Sequence, residues 1–276
     1  MRELTIAYSP DATDAFLFYA LRHGKVSAGD LGLRFAEDDL EALNRKSLEG
    51  AFEVTAASFH AYAYMAGRYA ILGAGGTFGD RYGPLLVARE PFPPDVIKKL
   101  QVAIPGTMTT AFLALRLIEP DIAFTLRPGD RILEAVEAGE ADAGLVKHEA
   151  QLTYGERGFH KLLDLGGWWH GETGLPLPLG GLFVRRDLGE TLALRLAALV
   201  RASVDHALTH GPEALAYALP YGRDLTGAMG ERFIRLFVNE RSLRYGPEER
   251  AALETLFSRA YDAGVLPHPV PVDIIG

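Results

Sequence analysis

Two kinds of hydrophobic pattern alternate along the chain: short, β-rich apolar runs, and longer stretches in which apolar side chains return at helical spacing. The runs predict strands at Leu4–Tyr8, Leu31–Ala36, Phe52–Thr55, Ala70–Leu72, Leu85–Ala88, Gln101–Ile104, Ile122–Leu126, Ala143–Val146, Lys161–Asp164 and Leu179–Arg185. The periodic stretches predict helices at Asp14–His23, Leu40–Glu49, Ser58–Met65, Thr109–Ile118, Asp130–Ala138 and Leu188–Leu208. Such alternation implies an α/β protein with parallel sheets covered by helices. After Gly180, with the strand to Arg185 complete, helical patterns follow at Pro212–Ala218, Gly227–Val238 and Pro247–Ala263. The last carries Leu253, Leu256, Phe257 and Tyr261 at helical spacing, with Arg250, Glu254 and Arg259 elsewhere on its circumference, as in a helix packed on an existing sheet.

The segment Glu90-Pro91-Phe92-Pro93-Pro94-Asp95 can continue neither a central strand nor a helix, which makes it the expected crossing between two lobes. The return is expected near Leu177–Leu182. This divides the chain into a discontinuous first lobe, residues 1–90 with 186–276, and an inserted second lobe, residues 91–185.

Composition narrows the function. The chain has 276 residues, 48% of them hydrophobic, enough for a large core. Its 36 acids against 28 bases give a formal charge of −8 without any Lys/Arg block, so no nucleic-acid partner is expected. The absence of cysteine excludes disulfides, thiolate nucleophiles, Cys-ligated zinc and iron–sulfur clusters. The opening run, with Glu3 before Leu4–Tyr8, differs from a signal peptide and points to a cytoplasmic protein. No apolar stretch approaches the roughly 18 residues of a membrane span, and no membrane partner is expected.

In open α/β sheets ligands gather beyond the carboxyl ends of strands. Four such places carry small or polar residues: Ser9-Pro10-Asp11-Ala12-Thr13-Asp14, Thr55-Ala56-Ala57-Ser58, Pro105-Gly106-Thr107-Met108-Thr109-Thr110 and Lys147-His148-Glu149. Two belong to each lobe, so facing lobes would bring all four to one cleft. In the third, Gly106 admits a ligand to the backbone, and Thr109 and Thr110 can donate hydrogen bonds to a carboxylate favoured by a helix start. The competing reading is that a threonine merely caps the helix. His148 follows a strand, and its imidazole, with an ordinary pKa of roughly 6.5, accepts a proton near neutrality. It is the candidate base, with Lys147 and Glu149 as neighbours able to tune it; a satisfied polar residue at a strand end is the bland alternative.

Other motifs carry less. His206 and His210 have i,i+4 spacing but lack the zincin glutamate, and a solvated helix end explains them. His60 either reaches the cleft or packs in the core. His23, His160, His170 and His268 read as structural or surface residues. Gly73-Ala74-Gly75-Gly76-Thr77-Phe78-Gly79 fails the dinucleotide fingerprint and reads as a flexible loop. Trp168-Trp169 reads as packing between lobes. No metal site is expected.

Gly139-Glu140-Ala141-Asp142-Ala143-Gly144-Leu145-Val146-Lys147-His148-Glu149, Leu152-Thr153-Tyr154, Asp164-Leu165-Gly166-Gly167-Trp168-Trp169 and Thr173-Gly174-Leu175-Pro176-Leu177-Pro178-Leu179-Gly180-Gly181 together resemble the 1,4-dihydroxy-6-naphthoate synthase family of the futalosine route to menaquinone. Glu41-Ala42-Leu43-Asn44-Arg45, Ser58-Phe59-His60-Ala61-Tyr62 and Gly83-Pro84-Leu85-Leu86-Val87 extend the likeness, which runs from about Leu4 to Leu188. The resemblance implies a two-lobe, type II periplasmic-binding-protein-like fold used as a cytoplasmic lyase without a redox cofactor. It implies cleavage of a carbon–carbon bond in cyclic dehypoxanthine futalosine, a small-molecule aromatic carboxylate, with release of a dihydroxyacetone fragment. By the same likeness His148 is the general base, and Thr109, Thr110 and Ala56-Ala57-Ser58 contact substrate; Ser9, Asp14 and Gly106 complete the expected site. The chain departs from the family at Asp11-Ala12-Thr13, where Cys-Pro-Asn is frequent, and at Ala56, where a lysine is common. Two rival readings share the fold: a protein that binds a small carboxylate without chemistry, and a chorismate-dehydrating relative. The oligomeric state is left open.

Overall fold

The computed structural model describes residues 2–147, 149–222, 225 and 227–276. The first part of the chain forms β1 (Arg2–Tyr8), α1 (Ala12–Arg22), β2 (Leu31–Glu37), α2 (Leu40–Leu48), β3 (Val54–Ser58), α3 (Phe59–Met65), β4 (Tyr69–Leu72) and β5 (Thr77–Gly79). There follow β6 (Leu85–Ala88), β7 (Gln101–Ile104), α4 (Thr110–Ile118), β8 (Ala123–Leu126), α5 (Ile132–Glu137), β9 (Ala143–Val146), α6 (Ala150–Thr153), β10 (His160–Asp164) and α7 (Leu165–Thr173). The remainder comprises β11 (Leu177–Arg185), α8 (Glu190–Thr209), α9 (Gly211–Ala218), α10 (Gly227–Phe237), α11 (Glu240–Leu243), α12 (Pro247–Asp262) and β12 (Ile274–Ile275). Local chemistry places several helix starts. Asp11 accepts from the amides of Thr13 and Asp14, Asp39 from Ala42, Thr109 from Phe112 and Asp164 from Gly167, so four helices begin where a short polar side chain replaces a missing carbonyl.

The strands form two sheets, ordered β12-β4-β11-β3-β1-β2 with β5 also on β11, and β10-β6-β9-β7-β8. This is the two-lobe α/β arrangement expected from the sequence, but the sheets are mixed rather than parallel. β1 runs parallel to β2 and β3, and β7 parallel to β8 and β9. β11 is antiparallel to β3, β4 and β5, and β6 is antiparallel to β9 and β10. The exceptions are the strands nearest the lobe crossings. A strand that enters its lobe from the cleft must run against strands that end there.

The same pairing relocates the crossings. β6 already belongs to the second sheet, so the chain passes between sheets at residues 80–84, ahead of Glu90–Asp95. The proline-rich segment instead leads into a 3-10 turn at Pro94–Lys99. β11 lies in the first sheet from Leu177, so the return precedes Leu177–Leu182. Proline marks backbone that cannot pair, but only the partner strands tell a crossing from a turn.

Two large cores result. One packs α1 between the first sheet and α8–α10, with Phe16, Phe18, Leu182, Val200, Phe233 and Ile234 buried together. The other runs through both lobes, joining Phe59, Tyr62 and Phe183 to Val102, Leu113 and Trp169. Trp169 is buried and donates its indole N–H to Pro176 O at 3.2 Å, consistent with packing near the lobe junction. Leu253, Leu256 and Phe257 of α12 join this second core, whereas Tyr261 is 43% exposed. Among the described residues no helix is long and apolar enough to cross a membrane.

Fully buried Asn44 ties α2 to the end of β3: its Oδ1 accepts the Ser58 N–H at 2.8 Å and its Nδ2 donates to Ser58 Oγ at 3.2 Å. Asn44→Ala strands that amide without a partner, and urea unfolding is expected to show about 2–3 kcal/mol lower stability; a loss below about 0.5 kcal/mol would contradict this role.

Candidate functional site

The four strand-end segments meet. A cavity of about 110 Å³ lies between the sheets, lined by Ser9, Asp11, Thr13 and Asp14 after β1, Ala56–Ser58 of β3, Thr109–Ala111 at the start of α4, and Lys147 after β9. That space exceeds the roughly 10–15 Å³ one water needs by several fold. Of the residues singled out in the sequence, Ser9, Asp14, Ala56, Ala57, Ser58, Thr109 and Thr110 all line it. Gly106 does not. It lets α2 approach, because a Cβ there would stand 2.2 Å from Glu41 Oε2. His148 lies outside the described residues; on either side of it in the chain, Lys147 and Gln151 line the cavity.

The threonine hydroxyls are bonded within the protein, Thr109 in the capping role that the sequence offered as the alternative. Thr109 Oγ accepts the Phe112 amide at 3.2 Å and donates to Gly106 O at 3.0 Å, which is the capping role. Thr110 Oγ donates to Leu179 O at 2.6 Å and accepts the His60 amide at 3.2 Å. Neither hydroxyl proton is directed to a ligand. A helix leaves its first amides without intrahelical carbonyl partners, so this segment presents the N–H groups and positive helix end at Thr110 and Ala111.

Several of these bonds join the lobes. Thr110 bonds to β11, Glu41 Oε2 accepts the Met108 amide at 3.3 Å, and Arg45, paired with Glu41 at 2.8 Å, reaches Thr107 Oγ at 3.4 Å. The lobes therefore stand closed. His60 sits behind the α4 start and does not line the cavity: its Nδ1 faces Thr109 O at 3.3 Å, while Nε2 is buried without a hydrogen-bond partner among the described residues. Burial pulls its pKa down to about 4, opposed by Thr109 O, so the ring is neutral at pH 7.

Charge in the cavity is concentrated in three side chains. Asp11 accepts from the Thr13 and Asp14 amides and from Thr13 Oγ at 2.6 Å, and Asp14 accepts the Ser9 amide at 2.9 Å. Burial, then the charge of Asp11, holds the Asp14 carboxyl well above the usual range against the Ser9 N–H and Lys147. Burial pulls the Lys147 ammonium below its ordinary pKa, against Asp11, Asp14, Asp39 and Glu41.

An apolar wall of Leu40, Leu179, Leu182, Phe233 and Phe237 faces these groups. The two phenylalanines come from α10, whose i,i+4 aromatic spacing was their only signal; nothing in the sequence ties that helix to the cleft. Gly75 and Thr77 also line the cavity, so the glycine-rich segment is packed wall rather than a flexible loop. Gly75 has φ +80° and sits against Leu182, Gly76 leaves room for the Tyr245 hydroxyl, and Thr77–Gly79 pairs with β11. Among the described residues no three His, Asp or Glu side chains converge as metal ligands. The arrangement suits a small organic anion with an apolar body, enclosed beside proton-carrying groups.

A family model described as menaquinone biosynthesis matches residues 4–262. Two curated proteins called 1,4-dihydroxy-6-naphthoate synthase are similar over nearly their whole length. One, from Thermus thermophilus, is 41% identical, covering 99% of each chain; the other, from Streptomyces coelicolor, is 37% identical, covering 96% of this chain and 95% of its own. The crystal structure of an Archaeoglobus fulgidus protein superposes with TM-score 0.92 at 40% identity, covering 95% of this chain and 98% of that one. The alkanesulfonate-binding protein SsuA of Xanthomonas axonopodis pv. citri shares the periplasmic-binding-protein-like fold, with TM-score 0.75 at 13% identity over 99% of this chain and 96% of its own.

His60 has a pH signature. Its folded pKa of about 4 lies below the unfolded value of roughly 6.5, so the unfolded chain binds more protons and stability falls as pH drops between them. Urea titrations at pH 6.5 and 4 are expected to show about 3 kcal/mol more loss in the wild type than in His60→Gln. Equal losses would place His60 in contact with water.

Proposed function

The chain belongs to the menaquinone-biosynthesis family, and we propose that within it this protein is a carbon–carbon lyase converting cyclic dehypoxanthine futalosine to 1,4-dihydroxy-6-naphthoate, with His148 as general base. The observation that carries the reading is full-length similarity to two proteins of that name, together with a closed cavity lined by strand ends from both lobes. The protein works in the cytoplasm and needs no redox cofactor for this step.

In this mechanism the ring of the substrate lies against Leu179, Leu182, Phe233 and Phe237, which remove apolar surface from water. Ala56, Ala57 and Ser58 face it from β3, and the amides of Thr110 and Ala111 favour its anionic end. His148 accepts a proton from the substrate, the electron pair so released drives cleavage of the carbon–carbon bond, and a dihydroxyacetone fragment leaves. Asp14 keeps its proton to a higher pH than an exposed carboxyl and stands in the same cavity, beside Ser9. Lobe closure, secured by the Thr110 to Leu179 and Met108 to Glu41 bonds, excludes water and fixes reacting groups.

Purified protein incubated with cyclic dehypoxanthine futalosine is expected to yield the naphthoate by mass spectrometry. His148→Asn is expected to lose about a hundred- to ten-thousandfold in turnover while still binding the naphthoate. Turnover near the wild-type rate in that variant would overturn the assignment of the base. Binding without product in the wild type would support a non-catalytic binding protein, and dehydration of chorismate would support the related branch.

A further inference from the structure

Lys147 stands at the cleft end of the second lobe, directly after β9, and is the only lysine or arginine among the described residues that line the cavity. Enclosing an ammonium costs solvation unless a negative group answers it. Four carboxylates attract this one: Asp11, Asp14, Asp39 and Glu41. Each also holds a backbone amide, which fixes where it stands. Asp11 holds those of Thr13 and Asp14, Asp14 that of Ser9, Asp39 that of Ala42, and Glu41 that of Met108. These acids cap helices and join lobes, and their geometry is fixed by those tasks.

A second observation points the same way. The start of α4, where Thr110 and Ala111 carry amides without intrahelical carbonyl partners, lines the same cavity as Lys147, while the Thr109 and Thr110 hydroxyl protons are donated to Gly106 O and Leu179 O. The cavity thus holds an ammonium and a positive helix end, with the small side chains of Ala56 and Ala57 leaving space beside them. We propose that Lys147 is the specificity-determining cation of this site, pairing with the carboxylate of the bound aromatic acid and thereby setting which end of the molecule meets the reacting groups. This inference rests on the reading of the cavity as an aromatic-carboxylate site.

Calorimetric titration of the full chain with 2-naphthoate and with neutral 2-naphthamide tests it. The wild type is expected to prefer the acid by about ten- to a hundredfold, the range of a charge-assisted hydrogen bond. Lys147→Met, checked for folding by circular dichroism, is expected to lose most of that preference, and Lys147→Arg to keep most of it. Ala56→Lys added to Lys147→Met restores a cation from the opposite wall and is expected to recover part of it. That rescue is not expected of a residue that only supports the fold. A preference unchanged in Lys147→Met, or absent in the wild type, would overturn the proposal. Turnover of cyclic dehypoxanthine futalosine measured in parallel separates the two ideas. Loss of acid preference in Lys147→Met, in a protein whose wild type makes no naphthoate, supports the cation and fails the reaction; naphthoate formation with the preference intact in Lys147→Met fails the cation alone.

Discussion

In both lobes the strands parallel to one another end at the same cleft, and this shared direction is the constraint on which the site depends. β1, β3, β7 and β9 end there: Ser9, the Pro105–Thr110 segment and Lys147 follow β1, β7 and β9, and Ser58 closes β3. Helix starts and short polar side chains accumulate at such ends because the chain must turn and cap at once. The strands that carry the chain between lobes enter from the cleft and so run antiparallel to these neighbours. β11 shows the result: its middle residues, Leu179–Leu182, line the cavity, and Phe183 and Val184 beyond them are buried in the sheet.

Closure uses the same groups twice. Thr110 takes the His60 amide and donates to Leu179, so one hydroxyl ties α3, α4 and β11 together across the lobe boundary. Glu41 receives the Met108 amide only because Gly106 has no side chain in the way. A buried, neutral His60 stands behind this junction. Bonds between the lobes thereby take up the Thr110 hydroxyl, and the helix cap takes up that of Thr109, so neither is free for the ligand role that sequence reasoning gave it.

Electrostatics follow from burial. Asp11 and Asp14 sit at one helix start, where each accepts a backbone amide, and burial, then the charge of Asp11, raises the carboxyl pKa of Asp14. Lys147 faces them from the other lobe. The cavity therefore contains both a carboxyl inclined to keep its proton and a cation inclined to lose one. Opposite these groups, Phe233 and Phe237 come from the helical tail, so the tail is part of the site as well as a cover for the first sheet.

Hydrophobic periodicity alone was enough to find the strands Leu85–Ala88, Gln101–Ile104 and Ala143–Val146 with their observed limits, and the long helices to within a few residues, because burial of one face imposes a period that a chain cannot hide. It missed β5, β12 and α7, which are too short or too glycine-rich to show one and exist through their partners. The location of the candidate cavity was legible for the same local reason: polar residues after strands and before helices mark the cleft where the lobes meet. Strand direction, the true crossings at residues 80–84 and before Leu177, the arrival of α10 at the cavity and the commitment of Thr109 and Thr110 to carbonyls were not legible. Each is a pairing between residues far apart in the chain, and which donor meets which acceptor is decided only when tertiary packing has removed the competing water.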